Sequence, residues 1–417
     1  MQPTTLNLTR ETLLLQTYLT NRRLVSRFLL SGAFTDAVLS HLCTTLHAAP
    51  EMLLHVTLAC ASRFASRGFV PAALGGDLEG RHADAKAVKV LRGVEVQARE
   101  GRMGIREVVL VLTLGLGLVT FDLSDSGLWA HEVCRFTLGL VERGYYSSRG
   151  AIKGGIWVHQ AGRVFEVDDA LLPPLSMDVY NCLVRRQIPI CRLEMGHDEG
   201  KRVDKYLGLC GPLLAMLFDI CRLSHQLRPS GDPSQTLDAK ARDEILGELD
   251  GIEDTVLEWD PQVPELFALA ASPDEVRGVQ GQARIYKIMT LLIIHRLRYA
   301  FGTQDDNAYE LSQTILAEIE KVYARPSTPG GYVKNSTGQF DYRLSLPFFI
   351  AAIELEDPSE RIRALDRLQS VVCRKIYPRV VEQLGQALKF VWEARDWQYC
   401  THWFDLLSTG IVPFILL

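Results

Sequence analysis

The sequence predicts an all-α fold, a compact array of about seventeen helices with no substantial β-sheet. Apolar residues recur at helical spacing along almost the whole chain, whereas period-2 alternation over the length of a strand is hard to find. Hydrophobic residues make up 47% and charged residues 23% of the chain, which is typical of a globular protein with a large core. No internal repeat of fixed period is present, so a regular solenoid is disfavoured.

The chain is predicted to form one helical domain over residues 1–417. Its 417 residues would suffice for two or three average domains. However, helices are predicted to resume directly after the clearest break, the polar and turn-rich segment 228–235. A second irregular segment is predicted at 323–343, and both are interpreted as loops within one array.

Four helices are predicted in the first hundred residues. Thr9 is the cap of the first, which extends to about Leu30. The second covers 35–47, and Pro50 opens the third, because proline is well tolerated in a first helical turn. After a glycine-containing loop, the fourth is predicted to begin near Arg81.

The most apolar segment, 105–123, is predicted to be a core helix. Its string VVLVLTLGLGLVTF imitates a buried strand followed by a nucleotide-binding turn, but Thr120 stands where the third glycine would be. We interpret Gly115 and Gly117 as positions that permit close approach of neighbouring helices. The apolar run has 14 residues, fewer than the roughly 18 needed to cross a bilayer, so no membrane span is predicted.

Helices separated by short connections are predicted over the middle of the chain. Asp125 or Ser126 caps the helix after the apolar one, and glycines weaken the helical pattern at 145–169. Pro173 and Pro174 then lead into a helix over 179–193. The remaining predicted spans are 204–227, 237–257, 264–271, 273–301 and 307–323.

Two helices are predicted to meet at an acidic corner within 344–372. The first, 346–355, is apolar on nearly every side, which is typical of a buried helix. Asp357 and Pro358 supply the cap and first turn of the second helix, and Glu360 is placed to bond back to the cap. The predicted inward stripe of this second helix is Ile362, Leu365, Leu368 and Val372. Helices over 377–395 and 396–407 complete the array.

The apolar LPFFIAA helix, the EDP corner and the following ER helix resemble the C-terminal part of the fungal-specific transcription factor domain. Segments 80–94, 125–142 and 282–299 are also similar to it. The resemblance implies an all-helical regulatory region of the kind usually found downstream of a zinc-cluster DNA-binding module. It also implies an intracellular protein, with the nucleus as the suggested compartment and the cytoplasm as the alternative.

The cysteines do not have the spacing of a zinc cluster. None of the nine forms a Cys-x2-Cys pair, and the nearest neighbours, Cys182 with Cys191 and Cys210 with Cys221, lie nine and eleven residues apart. An odd number of scattered cysteines indicates reduced intracellular thiols, and the first residues show no secretory signal. With a net charge of −5 and no basic patch, direct sequence-specific DNA binding is not expected.

No metal or cofactor site is predicted. Asp305, Asp306 and Glu310 could suggest a magnesium site in a helical enzyme, as could Asp168 with Asp169, but both groups occupy ordinary helix-capping positions. The histidines are dispersed, and neither a phosphate loop nor a nucleophile elbow is present. Sequence spacing does not decide whether distant residues form a catalytic triad, so any catalytic residues stay unknown.

The C-terminus is unusually rich in aromatic residues. Two interpretations stay open: a seam that closes the array, or the wall of an apolar ligand cavity with His402 or Tyr399 as polar anchor. The candidate cavity residues are Trp392, Trp397, Tyr399, His402 and Trp403.

Two functions from different classes fit this sequence. The first is a transcription-factor-like regulatory protein, linked to fungal secondary metabolism, that lacks its own DNA-binding module and acts through a protein partner or an apolar small molecule. The alternative is a cofactor-independent enzyme, such as a cyclase or isomerase of natural-product biosynthesis, built on the same fold around an apolar pocket. A closed core favours regulation, whereas an enclosed cavity with convergent polar groups favours chemistry.

Overall fold

The all-α prediction is confirmed. The computed structural model describes residues 9–71, 73, 77–100, 103–143, 152–153, 157–160, 163–166, 168–194, 203–228, 238–323, 344–372, 374–399 and 402–408. This part contains seventeen α-helices and two 3-10 helices. Its strands are two to four residues long and form two separate pairs: Ile152–Lys153 (β1) parallel to Leu193–Glu194 (β4), and Trp157–Gln160 (β2) antiparallel to Arg163–Glu166 (β3).

Seven helices precede residue 150. They are α1 (Arg10–Leu19), α2 (Arg22–Val25), α3 (Thr35–Ala48), α4 (Pro50–Ser66), α5 (Asp77–Arg99), α6 (Ile105–Asp125) and α7 (Ala130–Val141), with 3-10 turns at Ser26–Phe28 and Gly32–Phe34. Thr9 caps α1 as predicted, since its side chain accepts from the Thr12 N–H. The prediction of one helix to Leu30 is wrong, because Asn21 accepts from the Leu24 N–H and starts a new helix there.

Ten helices follow. They are α8 (Asp168–Arg185), α9 (Gly211–Gln226), α10 (Ala239–Glu258), α11 (Glu265–Ala270), α12 (Pro273–Arg298), α13 (Asp305–Tyr323), α14 (Ser345–Ile353), α15 (Pro358–Val371), α16 (Pro378–Asp396) and α17 (Trp403–Ser408). The predicted start at Asp204 is wrong, because its carboxylate accepts from the Tyr206 and Leu207 N–H groups in a turn. Nearly all of the predicted irregular segments 228–235 and 323–343 lies outside the described residues.

Helix α6 lies at the centre of the N-terminal half, where it packs on α4, α5, α7 and α8. A Cβ atom at Gly117 would lie 2.5 Å from Val56 Cγ2 on α4, and one at Gly115 would overlap Thr137 on α7. The glycines therefore permit the close helix approach that was predicted. The stretch Arg106–Asp125 is also long and apolar enough to cross a membrane, but 67% of it is buried in the fold, and a globular core helix passes the same test.

The acidic corner is present, with two corrections to its details. Every residue of α14 is buried, and the Asp357 carboxylate accepts from the Ser359 N–H at 2.6 Å, so the core helix and the cap are confirmed. Glu360 lies 3.4 Å from the Tyr309 hydroxyl instead of bonding back to the cap. Ile362 is 63% exposed and does not belong to the inward stripe. The predicted helix 396–407 is interrupted, because Gln398 has a φ of +54° and α17 begins only at Trp403.

The cap predicted for α7 is also wrong. Neither Asp125 nor Ser126 caps this helix. The Asp122 carboxylate accepts from the Trp129 N–H at 2.9 Å and so holds the turn that leads into α7.

Candidate functional site

The C-terminal aromatic residues are divided between the interior and the surface. Trp392 is buried, and its indole N–H donates to the Ala352 carbonyl at 2.9 Å. Trp403 is also buried and stacks on Phe404. Trp397 and Tyr399 are 69% and 79% exposed and stack on each other.

His402, the predicted polar anchor, is partly buried before α17. Burial lowers the pKa of its imidazole, which favours the neutral form. The Trp403 indole nitrogen has no hydrogen-bond partner among the described residues. Ligand binding by this group of residues stays a prediction.

A buried ion pair joins α12 to the end of α14. The Arg296 guanidinium contacts the Glu354 carboxylate at two points, 3.0 Å from Nε to Oε1 and 2.5 Å from Nη2 to Oε2. Their side chains are only 2% and 1% exposed. Bidentate geometry of this kind strengthens the pair and fixes its orientation. The two residues come from two of the segments that carry the family resemblance, 282–299 and the helix before the EDP corner.

The neighbours of this pair supply further charged contacts. Asp305, at the start of α13, lies 2.7 Å from Arg296 Nη1 and also accepts from the Gly302 N–H. Arg395 on α16 donates to the Glu354 carbonyl at 3.1 Å. The Phe301 ring lies within 5 Å of both guanidinium groups, at 4.9 Å from that of Arg296 and 4.6 Å from that of Arg395. We call this set, Arg296, Glu354, Asp305, Arg395 and Phe301, the ionic junction.

The acidic residues considered for a magnesium site are therefore dispersed. Burial raises the pKa of Asp305, but the hydrogen bond from Arg296 outweighs it and the net pKa is lowered, so the carboxylate serves the ionic junction. Asp306 and Glu310 are exposed on α13. The side chains of Asp168 and Asp169 lie outside the described residues.

An apolar cavity of about 220 Å³ lies between the N-terminal helices and helices α8 and α12. One wall comes from α1 to α4 and α6, and the other from α8, α12 and the turn before α9. The residues that line the cavity include Leu24, Val38, Val56, Gly117, Tyr180 and Tyr286. The described lining contains no Asp, Glu, His, Lys or Arg, and none of the five predicted C-terminal residues.

Two hydrophobic clusters line the cavity. Val25, Leu29 and Val38 form a small cluster of their own on α2, α3 and the turn between them. Leu53 and Val56 on α4, together with the rest of the main core, belong to the other cluster. Residues of both clusters line the cavity. The segment from α2 to α3 therefore lies over the main core with the cavity beneath it.

Most polar groups of the cavity wall are already hydrogen-bonded. The hydroxyls of Thr57, Thr113 and Thr120 each donate to the carbonyl four residues earlier in their own helix, at 2.7 to 2.8 Å. The Cys60 thiol donates to the Gly117 carbonyl at 3.3 Å, and burial, with a smaller effect of the Asp84 charge, raises its pKa to about 12. These groups form hydrogen bonds within the protein, and they stay neutral.

One polar group of the wall is different. Gln282 is 3% exposed, and its side-chain oxygen has no hydrogen-bond partner among the described residues. The Tyr18 hydroxyl, which also lines the cavity, stays protonated because burial raises its pKa well above the ordinary value. A buried amide left without a partner is uncommon, because it loses its bonds to water and gains none in return. The wall can therefore bind a neutral polar group.

Sequence reasoning missed Gln282, although a signal was present. It lies on the inward stripe of α12, at helical spacing with Val279, Tyr286, Met289 and Ile293, all of which are buried. A polar residue on an apolar stripe has either a buried partner or a function. Which of the two applies depends on contacts that only the structure gives.

A second polar cluster surrounds the buried Asp178 carboxylate on α8. His131 Nε2 lies 3.3 Å and Cys182 Sγ 3.4 Å from Asp178 Oδ1, and the three potential metal ligands lie within 4.8 Å of one another. However, the Arg135 guanidinium is 2.9 Å from Cys182 Sγ, and the Ile190 N–H donates to Asp178 at 2.7 Å. Burial also raises the pKa of Cys182, which disfavours the thiolate that a metal would need. Arginine thus provides the positive charge of this cluster.

A comparison with known protein families identifies the family of this chain. A family model described as the fungal-specific transcription factor domain matches residues 168–412, more than half of the chain. The chain belongs to this family. No curated protein and no solved structure shows a significant match to it.

Membership of the fungal-specific transcription factor domain family gives the chain a transcription-regulator-like role. The match begins where α8 begins and contains the whole ionic junction. The resembling segment 282–299 lies inside it, whereas 80–94 and 125–142 precede it. The cavity extends across this boundary, since Gln282 and Tyr286 belong to the matched part and most of the other lining residues precede residue 168.

Proposed function

We propose that this protein regulates transcription in fungal secondary metabolism without contacting DNA through its own residues. DNA recognition would come from a partner protein in the nucleus. The observation that carries the proposal is the family match over 168–412. Two sequence features support the absence of direct DNA contact: no Cys-x2-Cys pair occurs in these 417 residues, and their net charge is −5.

The cavity bears on the enzyme alternative. An enclosed cavity with polar groups would favour chemistry if those groups could transfer protons near neutral pH. The described lining offers Tyr18 and Cys60, whose pKa values are raised by burial, together with hydroxyls bonded to their own helices. Such a wall is suited to binding, and so it supports a ligand-responsive regulator better than a cyclase or isomerase.

A deletion strain tests the proposal when transcripts and metabolites are measured together. A regulator predicts changed transcript levels for a group of biosynthetic genes, restored when the wild-type gene is reintroduced. An enzyme predicts constant transcripts and accumulation of one biosynthetic intermediate. Conversion of that intermediate by the purified protein alone would overturn the proposal.

DNA binding by the purified chain is the second test. Affinity for duplex DNA depends on cationic side chains that displace counterions, so this acidic chain is expected to give no sequence-selective gel shift at physiological salt. The control is the same DNA mixed with an established zinc-cluster protein. A tight and selective shift by the isolated chain would contradict the proposed dependence on a partner.

A further inference from the structure

We infer that the cavity beneath the segment from α2 to α3 binds a small, neutral, apolar molecule that carries one hydroxyl group. The hydroxyl is recognised by the side-chain amide of Gln282. This goes beyond the proposed regulatory role by naming a site and a ligand class. Binding is measured on the isolated protein, so its failure would leave the regulatory proposal to be judged by the deletion strain.

Charge restricts the ligand class first. No charged side chain is present in the described lining, and the aromatic and aliphatic wall includes Leu53, Val56, Phe28, Tyr180 and Tyr286. Moving a carboxylate, phosphate or ammonium group from water into such a wall is strongly unfavourable without a partner charge. The ligand is therefore uncharged and mostly hydrocarbon.

The hydroxyl follows from the state of Gln282. Gln282 lines the cavity, and its side-chain oxygen is fully buried and has no hydrogen-bond partner among the described residues. An amide presents an acceptor and a donor, and a hydroxyl can donate and accept, so the two match in either orientation of the amide. Gly208 makes room for this arrangement, because a Cβ atom there would lie 2.7 Å from Gln282 Oε1.

Size gives the third restriction. The cavity volume is about 220 Å³. Because an apolar protein cavity of about 150 Å³ holds benzene with its six carbon atoms, this one would take roughly nine non-hydrogen atoms. A monocyclic phenol or a small terpenoid alcohol is close to that size. Such a ligand would contact both hydrophobic clusters at once and join them.

Three probe molecules separate these requirements in a calorimetric titration of the purified full-length chain. Thymol is a neutral phenol of suitable size, p-cymene is the same skeleton without the hydroxyl, and p-isopropylbenzoate carries a charge. Thymol is expected to bind saturably at one site. Loss of one hydrogen bond makes p-cymene roughly five- to tenfold weaker, and the benzoate is expected not to bind.

Variants at the cavity assign the binding to this site. Gln282→Leu removes the amide and is expected to bind thymol no more tightly than p-cymene. Gln280→Leu, the same change on the same helix outside the lining, should keep the wild-type preference. Leu42→Trp adds bulk to the cavity wall and should abolish binding of both neutral probes, whereas Leu266→Trp, the same change at an exposed position outside the lining, should leave it.

Folding of each variant is checked by circular dichroism. If Gln282→Leu fails to fold, the comparison of Leu42→Trp with Leu266→Trp still locates the site, and the three probes still define the ligand class. The inference is overturned by absent saturable thymol binding to the wild type. It is equally overturned by equal affinity for thymol and p-cymene, by preferred binding of the benzoate, or by wild-type binding in Leu42→Trp.

Discussion

Two regions on the same helix, α12, treat a buried polar side chain in opposite ways. At the C-terminal end, Arg296 is paired with Glu354 and Asp305 and packed against Phe301. About four turns earlier, Gln282 is equally buried, but its amide oxygen has no partner among the described residues. In the first region, the protein itself supplies the partners of the buried charge. In the second region, a bound molecule would have to supply the partner of the amide oxygen.

The difference shows that burial alone does not identify a functional residue. Both side chains are almost inaccessible, and both interrupt an apolar stripe in the sequence. What separates them is the set of neighbours brought by other elements. Asp305 of α13 and Glu354 at the end of α14 pair with Arg296, whereas α1, α3 and α6 surround the cavity with apolar and already bonded groups. The ionic junction stabilises the fold, and the cavity provides a binding site.

The largest expected effect is at the ionic junction. Glu354→Gln should lower the free energy of unfolding by about 3 to 5 kcal/mol, because it leaves the buried Arg296 charge without its bidentate partner. Urea denaturation followed by circular dichroism measures this change. The matched control is Glu356→Gln, which removes an exposed partner of Arg395 and should cost less than about 1 kcal/mol. Equal effects of the two substitutions would show that the ionic junction is not the stabilising centre.

Asp84 can be compared with Glu354, because it is a carboxylate that has no cation partner among the described salt bridges. Burial, together with the charges of Asp122 and Asp125, raises its pKa to about 6. In the unfolded chain an aspartate titrates near pH 4, so between about pH 4 and 6 the folded state binds more protons, and stability falls as pH rises through this window. Asp84→Asn should remove that fall.

The expected gain from Asp84→Asn is about 1 kcal/mol above pH 6, after allowance for solvent screening, and none below pH 4. The measurement is urea denaturation of variant and wild type at pH 4 and pH 7.5. Asp243→Asn, at an exposed position of α10, is the control and should show no such pH dependence. A gain of the same size at both pH values would contradict the assignment to a raised pKa.

The smallest effect on stability is expected at the cavity, and its sign is opposite to that of the loss predicted for Glu354→Gln. Gln282→Leu should leave the free energy of unfolding unchanged or raise it by up to about 1 kcal/mol, because it removes a buried amide oxygen that has no hydrogen-bond partner among the described residues. The same denaturation experiment measures it. A loss of more than about 2 kcal/mol would mean that Gln282 has an intramolecular partner in solution, and the contrast with Arg296 would fail.

Local patterns in the sequence predicted most of the helices. Thr9 and Asp357 are caps, α14 is buried on all sides, and Gly115 and Gly117 permit close helix packing. These features depend on residues within a few positions of one another. The helix predictions failed where a side chain forms a hydrogen bond to the backbone and starts a new helix, as Asn21 does.

The sites were less predictable because they depend on distant residues. Glu354 is 58 positions from Arg296, and nothing in either segment specifies that the two meet. The aromatic composition at the C-terminus suggested a cavity there, but the described cavity is lined by residues from α1 to α12 and by Tyr377. Composition shows that apolar side chains are available, and only their packing shows where a space remains between them.

Amide hydrogen exchange with residue resolution tests the contrast between the two regions most directly. Helix α14 is fully buried beside the ionic junction, so its amides should exchange only through global unfolding. The short α2 and the 3-10 turn Ser26–Phe28 over the cavity have few helical bonds and should exchange faster, through local opening. In Glu354→Gln, exchange in α14 should accelerate while exchange in α2 stays as in the wild type. Equal protection of both segments in the wild type, or equal acceleration in the variant, would contradict the account.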